Sequence, residues 1–140
     1  MTDIDTIIEN FEFLDNWDDR YRYLIELGEG LEPLPEELKN GATKVQGCAS
    51  QVWIVAKAAK GEDPVLNFRG DSDAHIVRGL IAIALAIYSD HRASEILAID
   101  DNAIFQKIRL TEHITPQRSN GLRSMVKRIK KEAERALESV

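Results

Sequence analysis

A single cysteine, Cys48, stands in this sequence of 140 residues. No internal disulfide can form. No His or carboxylate lies within five residues of that thiol, so a short-spaced zinc site is excluded as well. Basic charge is also short: 18 Lys and Arg against 24 Asp and Glu leave a net charge of -6, which repels a phosphate backbone and argues against nucleic-acid binding. The longest apolar run, Gly79 to Tyr88, is too short to cross a bilayer. Thr2-Asp3-Ile4-Asp5 lacks the basic and apolar regions of an export signal, so a cytoplasmic location is expected, where a lone thiol stays reduced. There is no repeat, low-complexity tract or linker, and one domain over 1–140 is expected.

What is present divides by period. Ile4, Ile7, Ile8, Phe11 and Leu14 recur at helical spacing, which predicts a helix over 3–14. Asp15-Asn16 ends it and can cap a second helix carrying Trp17, Tyr21, Leu24 and Ile25, with Gly28 and Gly30 as the stop. The two helices are expected to pair as an antiparallel hairpin. Pro33, Pro35 and Asn40-Gly41 break the chain, with a short turn over 36–39 between them. The period then falls to two: a short strand over 43–46, a loop holding Cys48, a strand over 51–58 and a returning strand over 65–69 closed by Gly70. Val52, Ile54, Ala56 and Ala58 would share one face of that sheet. Asp71-Ser72-Asp73 reads as the cap of a helix over 74–88 whose apolar residues wrap nearly all round it, marking the centre of the core. Short helices follow over 93–97 and 102–107. Thr115-Pro116 and Asn120-Gly121 bracket a loop, and the last helix carries Leu122, Met125, Val126, Ile129 and Ala133 on one stripe with Lys and Arg opposite. The fold class is α+β in one layered unit.

Cys48 is flanked by Gly47, which allows backbone angles other residues avoid, and by Ala49 and Ser50, which crowd it little. Such a sulfur is either a small packed hydrophobe or a presented nucleophile. A cysteine-dependent hydrolase or transferase would need a base from elsewhere, with His75 or His113 available; a redox-sensing or interaction domain would need none.

The blocks Val45-Gln46-Gly47-Cys48-Ala49-Ser50-Gln51-Val52-Trp53, Gly70-Asp71-Ser72-Asp73-Ala74-His75-Ile76-Val77-Arg78-Gly79-Leu80 and Leu110-Thr111-Glu112-His113-Ile114-Thr115-Pro116-Gln117-Arg118-Ser119-Asn120-Gly121-Leu122 occur in order. Together with Trp17, Tyr21, Tyr23 and Ile25-Glu26-Leu27-Gly28, they make the chain resemble the SufE-type cysteine desulfuration proteins. The resemblance implies a three-stranded antiparallel sheet with flanking helices, similar to scaffold proteins of the IscU type. It also implies that Cys48 accepts persulfide sulfur from a cysteine desulfurase of the SufS or CsdA type, that the chain stimulates that enzyme, and that it passes the sulfur to an iron–sulfur scaffold. Pyridoxal phosphate would belong to the desulfurase, and this chain would hold no cofactor or metal. The chain would act as a carrier rather than an enzyme, as a monomer or a homodimer.

Supporting or partner-binding candidates are Gly47, Ser50, Gln51, Trp53, Asp73, His113 and Arg118. Arg118, expected in a loop, could stabilise a thiolate or meet a partner carboxylate, or else pair with Asp71 or Asp73. Asp71 and Asp73 read most simply as caps, and Trp53 as a sheet-packing aromatic. His75, His91 and His113 share no ligand spacing. Trp53, Ile54 and the helix over 74–88 are expected to shelter the loaded sulfur.

Overall fold

Helix α1 (Ile4–Phe13) starts where the Asp3 carboxylate accepts the Thr6 N–H at 2.9 Å, and α2 (Trp17–Glu29) starts where Asn16 accepts that of Asp19 at 2.9 Å. Both caps satisfy amides that a first helical turn leaves unpaired. The computed structural model describes residues 3–110 and 114–138. The expected α1–α2 contact is present but sparse. α1 packs chiefly on α5 and α3, meeting α2 through Tyr23, whose ring lies 5.3 Å from Phe11 and whose hydroxyl accepts from Asn10 at 2.8 Å.

Gly30 caps α2, but Gly28 lies inside it as a point of close approach. A Cβ at Gly28 would sit 2.7 Å from the Gly79 nitrogen, and one at Gly79 2.2 Å from the Leu24 carbonyl. The two glycines therefore let α2 and α3 (His75–Tyr88) touch backbone to backbone.

A 3₁₀ turn over Glu36–Leu38 leads to β1 (Val52–Ala58) and β2 (Val65–Ser72), paired antiparallel from Val52↔Ser72 to Ala58↔Leu66. The sheet has three strands in the order β1-β2-β3. The third is not the expected 43–46 segment, which makes only the isolated bridge Lys44↔Trp53; it is β3 (His91–Arg92), paired to Val65 and Leu66 on the opposite edge. β2 also runs past Gly70 to Ser72, because Gly70 and Asp71 still pair with Ile54 and Trp53. On the shared face Val52 and Ile54 are buried, while Ala58 near the hairpin is exposed.

α3 is buried nearly all round, with Leu80, Ile81, Ile83, Ala84 and Tyr88 at or near zero exposure, and it touches α1, α2, β2 and α6. Each fully buried Leu or Ile contributes about 1.5–3 kcal/mol, so this helix anchors the core. Its N-cap is Ala74, with no side-chain cap bond; Ser72 Oγ accepts the Ala74 N–H at 3.2 Å, and the acids that read as caps are used elsewhere. α4 (Ala93–Ala98) and α5 (Asp101–Ile108) follow, and α6 (Pro116–Glu138) closes the molecule over α3, α4 and β1. Asn120 and Gly121, read as part of a loop, lie within α6. No helix among the described residues is long and apolar enough to cross a membrane.

Candidate functional site

The segment before Cys48 and the start of β1 form a closed stem. Val45 donates to Val52 O at 2.8 Å and Ile54 to Thr43 O at 2.9 Å, so residues 46–51 project as a short loop from a fixed base. Gly47 turns the chain there with φ +88°, and a Cβ on it would lie 2.7 Å from Ser124 Oγ on α6. The left-handed φ favours glycine, and a side chain there would also push the Ser124 hydroxyl aside.

Past that turn the Cys48 side chain points at α6. It is half-buried, and Sγ donates to the Gly121 carbonyl at 3.6 Å, a weak bond. A Cβ at Gly121 would stand 3.7 Å from the sulfur, an ordinary contact distance, so the carbonyl and not the missing side chain is what this position brings to the thiol. The tip is tied on its far side by Gln51 N–H donating to Asp73 Oδ1 at 3.1 Å. Asp73 thus latches the loop instead of capping α3.

Beside the sulfur lies a cavity of about 200 Å³. Val52, Val77, Leu80 and Met125 give it apolar walls, Ser50 lies next to the thiol, and Thr115, Gln117 and Arg118 line its polar side. The expected shelter is corrected in part: α3 contributes, but through Val77 and Leu80, and Val52 takes the place of Trp53 and Ile54. Ile54 is core. Trp53 is partly buried, in register with Asp71, with Lys39 Nζ 5.2 Å from its ring centroid.

Arg118 is found in the first turn of α6, not in a loop, its N–H held by Thr115 Oγ1 at 3.2 Å. Arg118 lines the cavity and its side chain makes no ion pair or hydrogen bond among the described residues. The alternative pairing with Asp71 or Asp73 is absent because Asp71 is already committed. That buried carboxylate accepts from Leu34 N at 3.1 Å and Ser72 N at 2.8 Å and faces Arg78 Nε at 3.3 Å and Lys39 Nζ at 3.5 Å.

Burial alone pushes the Cys48 thiol up from its ordinary pKa. The resting sulfur is therefore a protonated thiol at neutral pH, burial being the cause among the described residues. His75 is exposed at the start of α3 and His91 lies in β3, while His113 falls outside the described residues. Among the described residues no group of three or more His, Cys, Asp or Glu could hold a metal.

Sequence reasoning missed the α6 contribution. Gly121, Ser124 and Met125 fall on the face turned toward the loop, but the Asn120-Gly121 pair reads as a turn and hides the helix's first stretch. The apolar stripe beginning at Leu122 was the usable signal.

Comparisons with known proteins agree with this architecture. Residues 5–133 match the family model SufE, described as an Fe-S metabolism associated domain. An uncharacterised SufE-like protein of Rhizobium meliloti (strain 1021) is 62% identical over 135 residues, covering 96% of each chain. A second, from Rhizobium etli, is 59% identical over 134 residues, covering 95% of this chain and 90% of that protein. The solution structure of a hypothetical protein from Thermus thermophilus superposes with a TM-score of 0.76 at 18% identity over 96% of both chains, a likeness of fold.

Proposed function

The chain belongs to the SufE family, whose domain is associated with iron–sulfur metabolism, and on that premise we propose that Cys48 is the group that carries sulfur. It accepts a sulfane sulfur from the cysteine persulfide of a pyridoxal-phosphate-dependent desulfurase, stimulates that enzyme by relieving it of sulfur, and delivers the sulfur to an iron–sulfur scaffold. The cofactor stays on the desulfurase.

The chemistry is thiol–persulfide exchange. The Cys48 thiolate attacks the terminal sulfur of the partner's persulfide; the new Sγ–S bond forms as the partner's S–S bond breaks, and the electron pair leaves on the partner's cysteine. The proton shed by Cys48 compensates that thiolate, directly or through solvent, so no external oxidant or reductant enters. Because the resting thiol is protonated in its niche, the loop leaves the cavity for the attack; in water the sulfur returns to an ordinary pKa of about 8.5. On return, the apolar walls fold around the loaded sulfur and exclude soluble reductants.

The observation that best supports this reading is the placement of the chain's one thiol on a fixed-base loop, beside a cavity of about 200 Å³ with room for more than the sulfur it already receives. Among the described residues Sγ has a carbonyl and no base as its hydrogen-bond partner, so these residues lend the hydrolase alternative no support. Incubation with a desulfurase and free cysteine, followed by intact-mass measurement, is expected to add one or more sulfur atoms to the chain and none to Cys48→Ser. A chain that stays unloaded, or loads equally without Cys48, contradicts the proposal.

A further inference from the structure

The limb that leads into the Cys48 loop is held from outside the sheet by one side chain. Thr43 O points inward and accepts from Ile54 N at 2.9 Å, while the carbonyls of Ala42 and Lys44, on the other edge, point away from β1. Arg128 of α6 occupies that outer edge. Its Nη1 donates to Lys44 O at 3.2 Å, its Nη2 donates to Ala42 O, and its Nε donates to Glu132 Oε1 at 3.0 Å. All its nitrogens are engaged. Both side chains of the Arg128–Glu132 pair are only 19% exposed, and Arg135 Nη1 braces Glu132 at 3.1 Å, so the guanidinium plane has little freedom.

This arrangement accounts for two features together. The carbonyls of Ala42 and Lys44 would otherwise lack a protein donor on this side, and the fork of donors supplies one to each. The same helix face presents Gly121 to the sulfur, Ser124 to Gly47 and Arg128 to Ala42–Lys44, spacings of three and four residues that put every contact on one side of α6. The contacts differ in strength. At the tip they are a weak S–H···O bond, a van der Waals contact and a backbone bond to Asp73; at the base they are charge-assisted bonds from a guanidinium whose own ion pair with Glu132 is partly buried.

We propose that Arg128, oriented by Glu132, is the positioning residue of Cys48: it fixes the inbound limb of the loop on α6, so that the tip alone swings and the thiol returns to the same cavity. The role presupposes the carrier function above, but its test does not. Lysine cannot reproduce it, because one ammonium cannot span both carbonyls and Glu132 in a planar fork.

The test is the rate at which iodoacetamide alkylates Cys48 in the folded, full-length chain, read by mass and paired with urea unfolding. Arg128→Ala is expected to alkylate about tenfold faster than wild type, the scale of losing charge-assisted bonds that favour the closed loop, with Arg128→Lys between them. The pH midpoint of alkylation falls in the same order as the sulfur leaves its apolar niche. Lys130→Ala is the control: Lys130 anchors the opposite side of α6, 3.4 Å from Ile99 O and 3.5 Å from Asp101, and its loss leaves the alkylation rate unchanged. The proposal is overturned if Arg128→Ala, while folded, alkylates at the wild-type rate, or if Lys130→Ala accelerates alkylation equally. Should Arg128→Ala fail to fold, Arg128→Lys decides, and a wild-type rate there overturns it. Sulfur loading of the wild-type chain tests the carrier function separately.

Discussion

Two neighbouring parts of the sheet end are built in opposite ways. At Asp71, a buried carboxylate gathers two backbone N–H groups and the cations of Arg78 and Lys39, and so ties β2, α3 and the Leu34–Lys39 stretch into one knot. At the Cys48 loop, a few residues along the paired strand, the tip is held by a sulfur bond of 3.6 Å, a packed glycine and one exposed latch. The contrast shows where each kind of bond is placed: dense and charged under the site, few and weak at it. A thiol meant only to pack would need no such gradient. One that must leave its cavity, react and return needs both.

The difference can be broken from either side. Asp71→Ala leaves two cations facing an emptied, partly buried site, and a loss of about 3 kcal/mol is expected, toward the low end for a broken buried pair because the cations keep some water contact. Urea unfolding measures it, and a loss under about 1 kcal/mol would remove the knot from the comparison. Gly47→Ala attacks the tip. Its left-handed φ costs a side-chain residue about 1–2 kcal/mol, and the new Cβ meets Ser124, so alkylation of Cys48 rises about tenfold while the unfolding midpoint moves far less than in Asp71→Ala. Asp73→Ala removes only the exposed latch. It is expected to speed alkylation about two- to threefold and to change stability by no more than about 0.5 kcal/mol, and equal destabilisation by Asp71→Ala and Asp73→Ala would erase the distinction between knot and latch.

The smallest effect is a pH dependence. Folding raises the Cys48 pKa by burial, so the folded chain binds the thiol proton more tightly than the unfolded chain. The linked stability is complete below the unfolded thiol pKa of about 8.5 and is lost as pH rises through the higher folded value. Unfolding curves over that alkaline window are expected to be flatter for Cys48→Ser than for wild type.

Much of this molecule was legible in its sequence. The helical stripes of α1, α2, α3 and α6, the two main strands and the turn at Gly47 before Cys48 all follow from period and residue type. The strand His91–Arg92 did not, because two residues carry no periodicity and depend on the edge of β2 already being there. Gly28, Gly70 and Asn120-Gly121 misled for a shared reason. Glycine does not mark turns alone: Gly28 and Gly70 sit at close approaches to Gly79 and Ile81, and Gly121 lies inside α6. Asp71 and Asp73 likewise carry cap chemistry, but the cations of Arg78 and Lys39 claim one and the backbone of Gln51 the other. The cavity walls come from β1, α3 and α6, and no local pattern announces a meeting between residues so far apart in the chain.

The most direct measurement is the location of sulfur after incubation with a desulfurase and cysteine. Trapping persulfides with an alkylating tag and digesting with trypsin isolates the peptide Val45–Lys57, which holds the chain's one thiol. This peptide alone is expected to carry added sulfur between Sγ and the tag, and Gly47→Ala is expected to change how fast it is tagged. A peptide that is tagged readily on its own thiol yet never carries extra sulfur would contradict the carrier role of Cys48.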